Sequence, residues 1–131
     1  MSKILRGLSV VLLVALMAAA AYAQHGPRGR WWRDAKVVEA LHLTDGEIQR
    51  LESAFDQSKV KMIKLKSRVE AEQFQLQTLL EKNKLDEAAV KAQNRKLEQA
   101  RTQLANERTA FVLKVRKIIG PQRFQKLAEM R

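Results

Sequence analysis

Two apolar rows recur every seven residues, and that spacing constrains the fold more than any other feature of the chain. The first row is Ile48, Phe55, Met62, Val69 and Leu76, followed three residues on by Leu51, Ser58, Leu65, Glu72 and Leu79. The second is Val90, Leu97, Leu104, Phe111 and Ile118, with a mostly polar companion row of Gln93, Ala100, Glu107 and Lys114. A seven-residue period keeps one stripe of a helix apolar and turns it toward a partner helix. Ser58 and Glu72 are polar defects in the first seam. No segment alternates apolar and polar residues as a half-buried strand does. After Asp34 the only proline is Pro121 and the only glycines are Gly46 and Gly120. The expectation is an all-α protein: a long antiparallel helical hairpin, turning at "EKNKLD", with a short helix at each end.

Local signals place the corners. Asp34 can cap a first short helix, "AKVVEALHL". Thr44 then restarts the chain. Its hydroxyl can accept from the amide of Glu47, whose carboxylate can reach back to the Thr44 amide, the two halves of a capping box. Leu43 and Ile48 have the spacing of a hydrophobic staple. The first long helix is expected from Asp45 to about Lys82, roughly 57 Å at 1.5 Å per residue. Asp86 caps the second, again with a staple spacing from Leu85 to Val90. In "IIGPQRFQKL", Gly120 ends that helix, Pro121 takes the first position of a last one, and Ile119 and Phe124 repeat the staple. Val112, Leu113 and Val115 add apolar sides where the two short helices should pack.

The first 23 residues read differently. Lys3 and Arg6 precede an apolar run from Leu8 to Ala21, and "AYA" ends at Ala23. That is the pattern of a cleaved secretory signal peptide, too short in its apolar part for a comfortable membrane span. Removing it takes away two basic residues and no acidic one, so the +11 of the whole chain becomes +9. Export argues against nucleic acid as the partner of this basic surface. There is no cysteine, so disulfides cannot stabilise the domain, and association with a second copy is the expected route. Residues 24–33, "QHGPRGRWWR", are expected to form a mobile basic and aromatic arm. Its tryptophans either dock on a partner or fold back on the body. The folded domain is expected over 34–131.

The two corner segments carry a resemblance. "LTDGE" (Leu43 to Glu47) and "IGPQR" (Ile119 to Arg123) are degenerate copies of the Leu-Thr-x-x-Gln motif of the Spy/CpxP-type periplasmic proteins, a group with zinc-resistance-associated and heavy-metal-sensing relatives. Glu47 and Arg123 stand where the motif has Gln, and Gly120 where it has Thr. The resemblance implies a cradle-shaped antiparallel homodimer in the periplasm, working without ATP. It implies binding of partly unfolded exported proteins, restraint of a sensor kinase's periplasmic domain, or a response to metal.

For client binding, Val60, Ile63 and Phe74 fall on the side of the first long helix away from its seam, among Lys59, Lys61, Lys64 and Lys66. Apolar groups rimmed by charge are either a contact site for clients or the seam of the dimer. For metal, His25 and His42 are the only histidines. His42, with Glu39 one turn back and Asp45 just ahead, is the single candidate ligand, and no full set of three or four is evident. No nucleophile, His and acid converge and no glycine-rich loop exists, so an enzyme is not expected and no cofactor is implied. Stable insertion into lipid after cleavage is not expected either, because the helices carry too many acids.

Overall fold

The structure is a computed structural model that describes residues 29–130. The expected signal peptide and the start of the arm, residues 1–28, lie outside the described residues, as does residue 131. A 3-10 turn at Trp31–Arg33 leads into α1 (Ala35–Leu41), α2 (Asp45–Leu80) and α3 (Glu87–Glu129). There is no strand among the described residues. The all-α hairpin expected from the repeat is therefore the fold, with α2 and α3 packed along their length.

The seams face each other as their period requires. Leu51, Leu97 and Leu104 are buried, and Ile48, Phe55, Met62, Val69 and Leu76 are half-buried along the same stripe. Ser58 and Ala100, both buried, let the helices approach at mid-length. The Glu72 defect is matched from the opposite leg: the buried Gln93 side-chain amide donates to the Glu72 backbone carbonyl at 3.0 Å and to its carboxylate. A satisfied polar pair inside a seam pins its register. Arg68 donates across the legs to Gln103 at 3.0 Å.

Among the described residues, the buried hydrophobic core lies at the open end of the hairpin. Trp32, Leu41, Leu43, Leu51, Val115 and Ile119 form it, with Ile48, Phe111, Phe124 and Leu127 packed against it. This decides one expectation and corrects another. Of the two readings of the tryptophans, folding back on the body is the one observed: Trp32 is 0% exposed, and residues 30–33 are packed on the body rather than part of a mobile arm. The Trp32 ring meets Phe55 edge-on at 5.4 Å, and Phe55 meets Phe111 at 5.9 Å. Of the three apolar residues expected to cover this end, only Val115 is buried, while Val112 and Leu113 stay exposed. Their direction around α3 carries them past the groove that the short helices fill.

The stop at Leu41 is a Schellman motif. His42 adopts φ 50°, ψ 48°; its amide donates to the Glu39 carbonyl at 3.2 Å, and the Leu43 amide to Val38 at 3.1 Å. Histidine tolerates this left-handed conformation better than a β-branched residue does. Thr44 then caps α2 with the full capping box. At the far corner Gly120 takes φ 80°, ψ 171° and breaks α3, so that Pro121 to Glu129 turn away as a distinct helical segment. The four helical pieces expected, two long and two short, are all present.

Candidate functional site

Capping residues build the first of three surfaces. Leu43 and Ile119 are in the buried core, and Ile48 and Phe124 pack on it. Thr44 Oγ1 accepts from the Glu47 amide at 3.2 Å, and the Thr44 amide donates to Glu47 Oε1 at 3.1 Å. The same carboxylate is gripped from the other corner. Arg123 Nη1 donates to Glu47 Oε1 at 2.9 Å, and Nη2 donates to Oε2. Arg123 also reaches two freed helix-end carbonyls, Ile119 at 2.8 Å and Leu41 at 3.4 Å, and Lys126 donates to Ala40 at 2.8 Å. The bidentate Arg123 guanidinium, reinforced by Thr44, outweighs burial and lowers the Glu47 carboxyl from 4.5 to about 2. In return Glu47 raises the Arg123 pKa. Sequence reasoning treated the Glu and the Arg as separate departures from one motif. Their opposite charges at equivalent positions of the two copies were the available signal that they meet.

The second surface is the N-terminal strap. Arg30 bonds Glu52 at 3.1 Å and Asp56 at 2.9 Å, and Arg33 bonds the other oxygen of Glu52. The Arg30 guanidinium lies 4.9 Å from the Phe55 ring centroid. The bonded Arg33 holds the Glu52 carboxyl below its ordinary range; the Trp32 indole leans the same way without completing a hydrogen bond, and the Arg30 charge adds to the effect. Pairing of this strap was not read from the sequence, since arginines among glycines carry no periodic signal.

The third surface is the outer side of the hairpin. Val60 is 57% exposed, Ile63 58% and Phe74 74%. Helix geometry places all three on one stripe, but Phe74 lies eleven residues, about 16 Å, beyond Ile63. The expected patch is thus two features. Val60 and Ile63 sit at mid-hairpin, flanked by exposed Lys59, Lys64 and Lys66. Lys61 is turned about 130° from the centre of that pair and does not rim it. No acidic residue occurs between Asp56 and Glu70. Phe74 instead belongs to an open groove of about 510 Å³ near the turn, shared with Leu79, Ala89 and Ala92.

The described residues do not fit a metal centre. His42 is an exposed helix-stop residue, and no group of three His, Cys, Asp or Glu side chains able to hold an ion gathers among the described residues. His25 lies outside them. No described helix is long and apolar enough to cross a membrane.

No curated protein and no solved structure matches the chain. A match to the model of one family, described as heavy-metal resistance, runs from residue 6 to residue 126 and takes in the strap, both corners and the whole hairpin. It agrees at the coarse level with the resemblance carried by the two motif copies, and with so much of the sequence covered, the chain belongs to the heavy-metal resistance family.

Proposed function

We propose that this family member is an exported, periplasmic protein that holds partly unfolded proteins without ATP, through the mid-hairpin surface of Val60 and Ile63 with its flanking lysines. The observation that carries the reading is an apolar pair more than half exposed inside an acid-free stretch of α2, on the side that the seam does not use. Lysines draw acidic chain segments in from a distance, and the apolar groups retain what arrives. An exposed apolar patch in a charged rim is a common signature of an interaction site. The protein does no chemistry in this reading and works as a homodimer. A sensor kinase's periplasmic domain is a further partner of the same kind.

The test is suppression of aggregation of a denatured client. The wild-type protein should suppress it at near-stoichiometric ratio. Ile63→Asp should lose most of the effect while light scattering still reports the same assembly. An unchanged Ile63→Asp variant would remove the surface from the reading, and a variant that falls to monomers would assign the surface to the dimer.

The family description supports a second reading, a metal-responsive protein. Calorimetry with zinc, copper and nickel separates the two. Binding at micromolar concentration that is lost in His42→Ala favours the metal reading.

A further inference from the structure

Among the described residues, side chains alone fasten the N-terminal strap to the hairpin. Its backbone hydrogen bonds are internal: the Arg33 amide donates to the Arg30 carbonyl at 3.0 Å, and the Asp34 amide to the Trp31 carbonyl at 3.1 Å. One aromatic ring and two guanidinium groups do the holding. Trp32 is 0% exposed in the cluster with Leu41, Leu51 and Ile119, edge-on to Phe55. Arg30 bonds Glu52 and Asp56, and Arg33 bonds Glu52. The receiving cleft thus has an apolar, aromatic floor and a rim of two carboxylates one turn apart on α2. That is the reverse of the mid-hairpin surface, where lysines flank the apolar pair. A cleft that reads only side chains accepts a segment that brings the same groups in the same order. Its present occupant is imperfectly held. Trp32 Nε1 is buried with no hydrogen-bond partner, and a buried donor left unmade offsets part of what the ring gains by burial. The Arg33 and Asp56 side chains are 59% and 60% exposed, so water and salt screen their bonds. The strap also precedes every other described element, so it can leave while the seam of α2 and α3 stays closed.

We propose that this cleft is a binding site for a basic and aromatic segment of another polypeptide, of the type Arg-aromatic-aromatic-Arg, and that the strap is its internal, displaceable occupant. An incoming ring takes the place of Trp32, and its flanking arginines take Glu52 and Asp56. The strap is covalently attached and competes at high local concentration, so only a segment of matching chemistry displaces it. The site is separate from the mid-hairpin surface and opposite to it in charge.

Trp31 and Trp32 are the only tryptophans in the chain, so intrinsic tryptophan emission reports the strap alone. The purified protein is titrated with a tryptophan-free copy of the strap, the end-blocked peptide Gly-Arg-Phe-Phe-Arg-Asp, and calorimetry gives the affinity. Emission should shift to the red and saturate at one peptide per chain, with far-UV circular dichroism unchanged. The same peptide with Glu for both Arg, or Gly for both Phe, should bind about tenfold more weakly or worse. Arg30→Ala with Arg33→Ala loosens the native strap and leaves the cleft whole, and should tighten the peptide about fivefold or more. Glu52→Gln with Asp56→Asn should remove the preference for the basic peptide over the acidic one. No binding to either the wild type or the double-arginine variant overturns the proposal, since the strap is then a fixed part of the core. Equal binding of the basic and acidic peptides overturns it too, as does a red shift that comes with loss of helix. Peptide that splits a dimer into monomers would put the strap of a second copy in the cleft, and overturns the assignment to a foreign segment. Ile63→Asp should leave the titration unchanged, so failure here is distinguishable from failure of the mid-hairpin reading.

Discussion

At the scale of single residues, Glu47 carries three jobs on one carboxylate: it caps Thr44, pairs with Arg123, and joins the two corners. Its side chain is 9% exposed and that of Arg123 31%. An exposed pair contributes about 0–1 kcal/mol. This one is more enclosed and bidentate, yet the half-open arginine is screened by water, so we assign it about 2 kcal/mol. The folded carboxyl is depressed from 4.5 to about 2. Its stabilisation is therefore whole above pH 4.5 and is lost as pH falls toward 2. Melting temperature should drop over that window, and the drop should be smaller in Glu47→Gln. Arg123→Gln should cost more than Glu47→Gln, because it strands a nearly sealed carboxylate with only its capping donors. The double variant should recover part of the loss, since two amides can bond where the ion pair stood. Losses that simply add in a double-mutant cycle would mean that the corners are not coupled.

At the scale of elements, the two corners stop their helices by different means. The first uses a left-handed His42 and a capping hydroxyl. The second uses Gly120 at a φ/ψ combination that side chains other than hydrogen rarely adopt. A methyl at Gly120 would meet nothing within 4 Å, so its cost is backbone strain alone. Gly120→Ala should destabilise by about 1–3 kcal/mol. Gly46→Ala is the control: it lies in the first turn of α2 with equally open space, and should be neutral or stabilising by up to about 1 kcal/mol. Urea denaturation compares the two. If both alanines behave alike, the kink at Gly120 is not a fixed corner. The seams, capping box and staples were legible because they are patterns of i to i+3, i+4, i+5 and i+7. Trp31 and Trp32 were not, because a pair of aromatics outside any repeat says nothing about which surface receives them.

At the scale of the molecule, burial is uneven. One end has a sealed core, while the hairpin legs share a seam whose apolar residues are mostly half-buried. Val60, Ile63, Phe74, Leu80, Leu85, Val112 and Leu113 remain exposed. A hairpin this thin has little apolar area to offset chain entropy, and a second copy would supply more. Light scattering on the protein at micromolar concentration should therefore report a dimer. A folded monomer that stays monomeric as concentration rises would contradict it.

The sequence by itself determined the all-α class, the positions of the helices, both corners and the facing seams. Each of these follows from spacings within one or two helical turns, where backbone geometry alone dictates which side chains meet. Only the tertiary structure decided that Glu47 grips Arg123 across 76 positions, that Trp32 seals the open end, and that Val112 and Leu113 stay uncovered. Those outcomes depend on how the helices rotate and cross at the corners, and a contact between distant positions is set by that rotation rather than by any local period.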